Sequence, residues 1–299
     1  MRAAHLYSMI EITELLPATS SGLRAPAREI LAPPVCSILP AGTELLSCEL
    51  LLTADGSDRL ELSFSADEVR GGPPAALEAC AAGVELTLGH PCGTLFRGSL
   101  QASGLRWDRG GTVLFLPARA GYLQLGESSD PHTYYQHSDS ELAEAIASEL
   151  GLRALVEPTE EVFERVVRRG DRLDFLRERA RKIGFELALL PGELFFSSKL
   201  PRGAELSGLP AARGVLSRDE SLLEFSFREL SGLGRGGDFE VQGDPGWRPL
   251  QEFDIAGMGE PLDGRYRVAR ARHRWDQLGY RTRVDYLETG VDLESWSEE

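Results

Sequence analysis

Apolar residues recur at every second position through most of the chain and at every third or fourth position in one central stretch, and this contrast divides the chain. Leu60, Leu62 and Phe64 alternate with Glu61, Ser63 and Ser65, and Val84, Leu86 and Leu88 alternate with Glu85 and Thr87. On a pleated strand that spacing puts the apolar side chains on one face and the polar ones on the other. Phe96, Gly98 and Leu100 repeat the period after a turn at His90-Pro91-Cys92-Gly93, and Thr112 to Ala118 (TVLFLPA) supplies another strand. Short strands divided by Gly, Pro and Asp turns over about eighty residues predict a closed or nearly closed antiparallel sheet.

The period then becomes helical. Ser138 can cap a helix while Glu141 reaches back to it, and Leu142, Ile146 and Leu150 form one apolar stripe that Gly151 can end in the left-handed conformation. A short strand follows at Val162 to Val167. Asp171 is placed to cap a second helix in which Leu173, Leu176, Ala180 and Ile183 share a face. Arg181 and Lys182 suit its negative end, and Gly184 stops it. Both helices are amphipathic and must dock on something. Phe185–Leu189 and Glu193–Ser197 flank a Pro191-Gly192 turn and read as a hairpin of alternating residues.

Leu223, Phe225 and Phe227 restart the two-residue period, and Phe239 and Val241 fit one strand. Gly232 to Gly237 (GLGRGG) superficially matches a phosphate loop, but no parallel strand and following helix frame it, so it reads as a flexible loop. The last hairpin joins Tyr266–Trp275 to Tyr280–Leu287 through Gln277-Leu278-Gly279 and crowds Arg265, Arg267, Arg270, Arg272, Arg274, Arg281 and Arg283 together. Between Arg265 and Arg283 the only acid is Asp276. The resulting organisation is an irregular proline-rich arm (1–43), a first β-unit (44–130), a helical insertion with a hairpin (131–200), a second β-unit (201–290) and an acidic tail (291–299). The fold class is mainly β with an α insertion, within the α+β class.

Length and charge narrow the function. The 299 residues suffice for two cores of ordinary size. With 32 Lys and Arg against 47 Asp and Glu the net charge is −15, so the molecule repels phosphate backbones and stable nucleic-acid binding is disfavoured. No apolar run reaches membrane-spanning length, and Glu11 and Glu14 interrupt the stretch where a signal peptide would be apolar, which predicts synthesis and folding in the cytoplasm. Cys36, Cys48, Cys80 and Cys92 lack metal or redox spacing and read as buried thiols; His90 beside Cys92 does not make a metal site, and no cofactor is implied. Neither GxSxG nor a partnered histidine appears among His5, His90, His132, His137 and His273. Acid pairs such as Asp67-Glu68 and Glu160-Glu161 read as solvated turns. The rival class is an enzyme, a glycosidase or peptidase that degrades cell wall, whose paired carboxylates a sequence alone cannot reveal. A carbohydrate-binding β-protein would instead display aromatic residues such as Trp107, Trp247, Trp275 or Trp296 in a groove.

Three segments carry a family resemblance. HSDSELAEAIASELGL (His137 to Leu152), VFERVVRRGDRLDFLRERARKIGFEL (Val162 to Leu187) and GRYRVARARHRWDQLGYRTRVDYL (Gly264 to Leu287) follow one another in the order seen in the phage late control protein D family and in the N-terminal hub part of VgrG spikes, which the chain resembles over residues 44–290. The resemblance implies two related antiparallel β-barrels joined by a helical segment. It further implies a non-enzymatic baseplate hub of a contractile tail or injection system: a homotrimer whose six barrels meet a hexameric tube protein, among other baseplate proteins. The stretch after the closing hairpin is too short for a spike stalk, so a trimeric spike is expected to be a separate chain. A ring of three uses different patches of one chain against each other. The arginine-rich hairpin is therefore the candidate contact for an acidic neighbour or tube subunit.

Overall fold

The computed structural model describes residues 33–289 apart from 39–42, 55, 68, 70–71, 92, 110, 121–129, 191, 200–214, 218–221 and 231–233. The arm and the acidic tail expected at the two ends fall almost entirely outside the described residues, as do Cys92, Glu68, His5 and Trp296. Of the described chain, most is β, with few helices, and none of these is long and apolar enough to cross a membrane.

The first part runs β1 (Val35–Cys36), β2 (Glu44–Thr53), β3 (Arg59–Ser65), α1 (Gly72–Ala79), β4 (Glu85–His90), β5 (Gly93–Leu100), β6 (Gly104–Asp108) and β7 (Gly111–Ala120). The alternation predicts β2 to β5 and β7, and Leu60, Leu62, Phe64, Leu86, Leu88, Leu114 and Leu116 all turn inward; β1 lies in the arm expected to be irregular and is strand because it pairs with β4, and β6, which pairs with β7, was not marked by the alternation. Helix α1 was not legible in the alternation; Pro73 and Pro74 lie in its first turn, where a missing N–H has no helical partner to lose.

The middle part holds β8 (His132–Ser138), α2 (Asp139–Glu149), β9 (Arg153–Val156), β10 (Val162–Arg168), α3 (Arg172–Ile183), β11 (Glu186–Leu190) and β12 (Glu193–Ser197). Both helices start where their caps predict. The Ser138 hydroxyl accepts the Glu141 N–H, and the Glu141 carboxylate accepts the Ser138 N–H at 2.7 Å. Asp171 accepts the N–H groups of Leu173 and Asp174, and Gly184 closes α3 at φ 71°. Leu142, Ile146, Leu173 and Leu176 are buried against the first core, each contributing about 1.5–3 kcal/mol. Beneath them, β12 pairs antiparallel with β11 and parallel with β9. Leu194 and Phe196 pack into the first core, whereas Phe195 clusters with Ala188, Leu190 and Leu250, so both faces are covered and Glu193, Leu194, Phe195 and Phe196 are all buried. The alternating pattern expected for this hairpin is corrected on that ground.

The last part comprises β13 (Val215–Leu216), β14 (Leu222–Leu230), β15 (Gly234–Gln242), β16 (Glu252–Ile255), β17 (Gly264–Asp276) and β18 (Gly279–Glu288). Two expectations change here. A register shift after Leu222 leaves Leu223 55% exposed while Phe225 and Phe227 face the core, so Leu223 does not share their face. Of the stretch Gly232–Gly237, Gly232 and Leu233 lie outside the described residues, while Gly234–Gly237 is strand paired with β14, and with β18 as well from Gly236 onward, rather than a flexible loop. Gly237 is needed there because a Cβ would lie 2.2 Å from the Ser226 carbonyl oxygen.

These strands form one 13-stranded sheet in the order β1-β4-β5-β7-β3-β2-β17-β18-β15-β14, with β6 against β7, and β13 and β16 continuing from β17. One strand links its halves. The N-terminal end of β17 pairs with β16 (Arg267 opposite Glu252), and its C-terminal end pairs with β2 (Arg270 opposite Thr53 through Trp275 opposite Cys48). Two large apolar clusters lie along the sheet. The first gathers the leucines of β2 to β7 and the inward faces of α2 and α3; the second gathers Phe239, Trp247, Phe253, Tyr266 and Tyr286.

Candidate functional site: the charged face of the terminal hairpin

The hairpin β17–β18 presents opposite chemistry on its two faces. Along β17, Tyr266 and Val268 point inward and Arg265 and Arg267 outward. Simple alternation would then send Arg270, Arg272 and Arg274 into the core. Ala269 is the extra residue of a bulge between Val268 and Arg270, and it resets the phase so that all five arginines share the outer face. The break is visible in the sequence, where the arginine spacing lengthens from two to three at Ala269.

Each arginine of this face meets a carboxylate of the same chain. Arg265 reaches Asp254 at 2.9 Å, Arg267 lies 3.5 Å from Glu252, Arg270 is 3.2 Å from Asp285 and Arg272 is 3.4 Å from Glu49. Arg274 and Arg281 converge on Asp276 at 2.8 and 3.0 Å, and Arg283 contacts Asp238 at 2.6 Å. The acids come from β2, β15, β16 and β18 and from the turn, so pairing across the sheet neutralises what looks along the chain like an isolated basic block. Burial alone would raise the Asp276 carboxyl, but the Leu278 amide and its two arginines outweigh it and hold it below the usual range. Asp285 goes the other way, raised by burial despite Arg270. A half-exposed pair of this kind contributes at most about 1 kcal/mol. The lattice governs what can adhere to the face more than how stable the fold is.

The inner face holds a buried polar knot. His273 is fully buried; its Nε2–H donates to the Trp247 carbonyl at 3.0 Å, and its Nδ1 accepts from the Tyr280 hydroxyl at 2.9 Å and lies 3.2 Å from Thr282 Oγ1. Burial pushes the imidazole down to about 3, and Arg248 and His90 reinforce this against the Trp247 hydrogen bond. The ring is therefore neutral at physiological pH. Beside it Trp275 and Tyr280 stack at 4.0 Å, and His90 lies 6.4 Å from each. Arg248 is lowered to about 10 by burial, opposed by Glu193 and Tyr280. Enclosed between the cores, this knot orients strands and offers a substrate no access.

The other residues marked in the sequence are scattered. His132 is exposed and packs on Tyr134, and His137 is hydrogen-bonded to the Tyr135 carbonyl. Cys36, Cys48 and Cys80 are free and buried, with Cys80 pushed up to about 11 by burial. Asp67 is exposed and accepts the Thr112 N–H at 2.9 Å, and Glu160 and Glu161 are exposed. Trp247 and Trp275 are buried, whereas Trp107 is 85% exposed on β6 and lines no aromatic groove with them. Among the described residues no group of three or more His, Cys, Asp or Glu could hold a metal ion.

Comparison with solved structures places this architecture. The chain superposes on a 43 kDa tail protein of prophage MuSo2 from Shewanella oneidensis with a TM-score of 0.65 at 11% identity, covering 82% of this chain and 94% of that one. The tail protein of Neisseria meningitidis MC58 gives 0.65 at 11%, covering 88% and 98%. An Escherichia coli type VI secretion component, described as structurally similar to the bacteriophage T4 tail proteins gp27 and gp5, gives 0.64 at 12%, covering 87% and 77%. No family model and no curated protein sequence matches the chain. At these identities the likeness concerns the fold: this chain has the fold of these tail proteins and of the type VI secretion component.

Proposed function

We propose that the protein is a structural hub of a contractile tail or injection system. Three copies form a ring, each contributing two related β-barrels, so that six barrels meet a hexameric tube on one side and a separate trimeric spike is held on the other. The observation that carries this reading is the sheet itself: one long strand, β17, pairs with β16 in the second half and β2 in the first, joining two cores along one sheet. Two sheet-built halves per chain are what a threefold object needs to meet sixfold order. The likeness to tail proteins over most of both chains supports the same reading.

On this reading the protein is not an enzyme. The cross-strand neighbours Asp238, which is buried, and Asp285, which is half-buried, form a carboxylate pair, but each is held by an arginine, Arg283 on the first and Arg270 on the second. Burial and Asp238 raise the Asp285 carboxyl, but Arg270, Arg272 and Arg283 oppose that rise, which favours an ion lattice over the acid and open cleft that a glycosidase requires. The seven arginines, balanced within their own chain, are proposed to meet the neighbouring subunit or the tube by exchanging partners across the joint.

Native mass measurement of the purified chain, alone and mixed with its tube protein, tests the assignment. A trimer that caps tube hexamers is expected; a monomer that cleaves peptidoglycan would overturn it.

A further inference from the structure

The outer face of the first sheet half carries arginines in a different state from those of the terminal hairpin. Arg59 on β3 stands directly opposite Arg119 on β7, and Arg119 stands opposite Ser99 on β5, where Arg97 lies two residues away on the same face. The row runs on through Leu51 to Arg272, so these three extend the charged face of the hairpin. All three are exposed, and among the described residues none makes an ion pair or a hydrogen bond through its side chain. Glu61 and Glu85 share the face, but neither pairs with them. Like charges directly opposed on adjacent strands destabilise a sheet, and the carboxylates that balance the hairpin are missing here. Ser99, between Arg119 and Glu85 in the row, is buried, and its hydroxyl has no hydrogen-bond partner.

The chain carries matching carboxylates on its insertion. Glu144 on α2 and Glu160 and Glu161 ahead of β10 are exposed and make no ion pair among the described residues. The Ser140 N–H donates to Thr159 Oγ1 at 2.9 Å and the Thr159 N–H to Ser140 Oγ at 3.1 Å, which holds that loop beside the start of α2, one turn from Glu144. Within one chain the two patches are kept apart. The helices of the insertion pack into the core on the inner face of the same sheet half whose outer face bears the arginines.

We propose that Arg59, Arg97 and Arg119 receive the acidic surface of the insertion, around Glu144, Glu160 and Glu161, from a second copy of this chain. The inference rests on the threefold reading above and supplies its joint: contact between unlike patches is heterologous, and one that closes after three steps makes the ring. A small anion is a poorer occupant, because solvent-exposed arginines hold a single ion weakly. A nucleic acid is poorer still, because the chain as a whole carries a net charge of −15.

Sedimentation of the full chain across a concentration series tests it. Arg59→Glu with Arg119→Glu is expected to raise the concentration at which the trimer dissociates by at least roughly tenfold, and Glu160→Arg with Glu161→Arg should do the same. All four substitutions in one chain should bring the trimer back toward wild-type strength, since every joint then sets unlike charges together again. Added salt should loosen the wild-type trimer. Far-UV circular dichroism checks folding, and Arg119→Gln provides a gentler variant: it relieves the opposed pair, so the dilute chain should melt no lower than wild type while its trimer weakens. A trimer indifferent to the reversals, or one that the fourfold variant fails to restore, would overturn the inference and leave the hub reading standing. So would reversals that abolish binding to tube hexamers while the trimer stays intact. A chain that is monomeric at every concentration would overturn both.

Discussion

The two cores along the sheet solve the same packing problem with different materials. The first is aliphatic, built from Leu50, Leu60, Leu62, Leu88, Leu114 and Leu116 and roofed by Leu142, Ile146, Leu173 and Leu176 of the two helices. The second contains no helical residue and is filled with rings: Phe239 meets Trp247 at 5.0 Å and Phe253 at 5.5 Å, and Tyr266 meets Tyr286 at 5.1 Å, all edge to face. A sheet half without a helical lid must cover its inner face with its own side chains, and large rings in tilted contact fill that volume with few residues. The first half borrows its volume from the insertion, which makes the helices part of its fold rather than an accessory.

If that contrast is right, truncating one ring should cost more than truncating one leucine. Phe239→Ala is expected to lose about 4–5 kcal/mol and Leu62→Ala about 3 kcal/mol in urea unfolding. Both should unfold in one transition, since β17 belongs to both halves; two separate transitions in Phe239→Ala would show that the shared strand does not couple them.

The polar knot between the cores should appear as acid sensitivity. His273 in the folded protein titrates near 3, against about 6.5 in an unfolded chain. Its neutral form is thus fully compatible with the fold above pH 6.5. As pH falls below that, the unfolded chain takes up a proton that the folded one refuses. Stability should drop by about 1.4 kcal/mol per pH unit down to the folded value, or about 2 kcal/mol at pH 5. Chemical denaturation at pH 7 and pH 5 should show that loss, and His273→Gln should flatten it; equal pH slopes in both proteins would exclude the histidine as its source.

The smaller effects separate local from lattice interactions. Ser138→Ala removes the hydroxyl half of a capping box at the lid of the first core and should cost about 1 kcal/mol of thermal stability. Arg272→Ala breaks one exposed pair to Glu49 and should change stability by less than about 0.5 kcal/mol. A larger loss from Arg272→Ala than from Ser138→Ala would mean that the outer lattice is structural after all.

Much of this was readable along the chain. Ser138, Glu141, Asp171 and Gly184 mark helix ends through bonds spanning a few residues, and Leu60, Leu62 and Phe64 mark a strand through a period of two. Where reading failed, the missing information lay far away in the chain. Leu223 was assigned the wrong face because a register shift against β15 decides it, and Gly234–Gly237 looked like a loop because Gly237 answers to Ser226 and Tyr286 rather than to its neighbours. The buried second face of β12 depends on Leu250, which clusters with Phe195 from far along the chain.

The candidate site divides along the same line. The sequence by itself determined which residues are basic, that they alternate with apolar ones, and that the alternation slips once, because dihedral preference and amphipathic period act within a strand. Only the tertiary structure decided that those arginines are paired rather than bare and that His273 is sealed between two cores. Glu49 and Asp238 come from strands far away in the chain, and charge and solvation depend on distance in space, which the order of residues does not record.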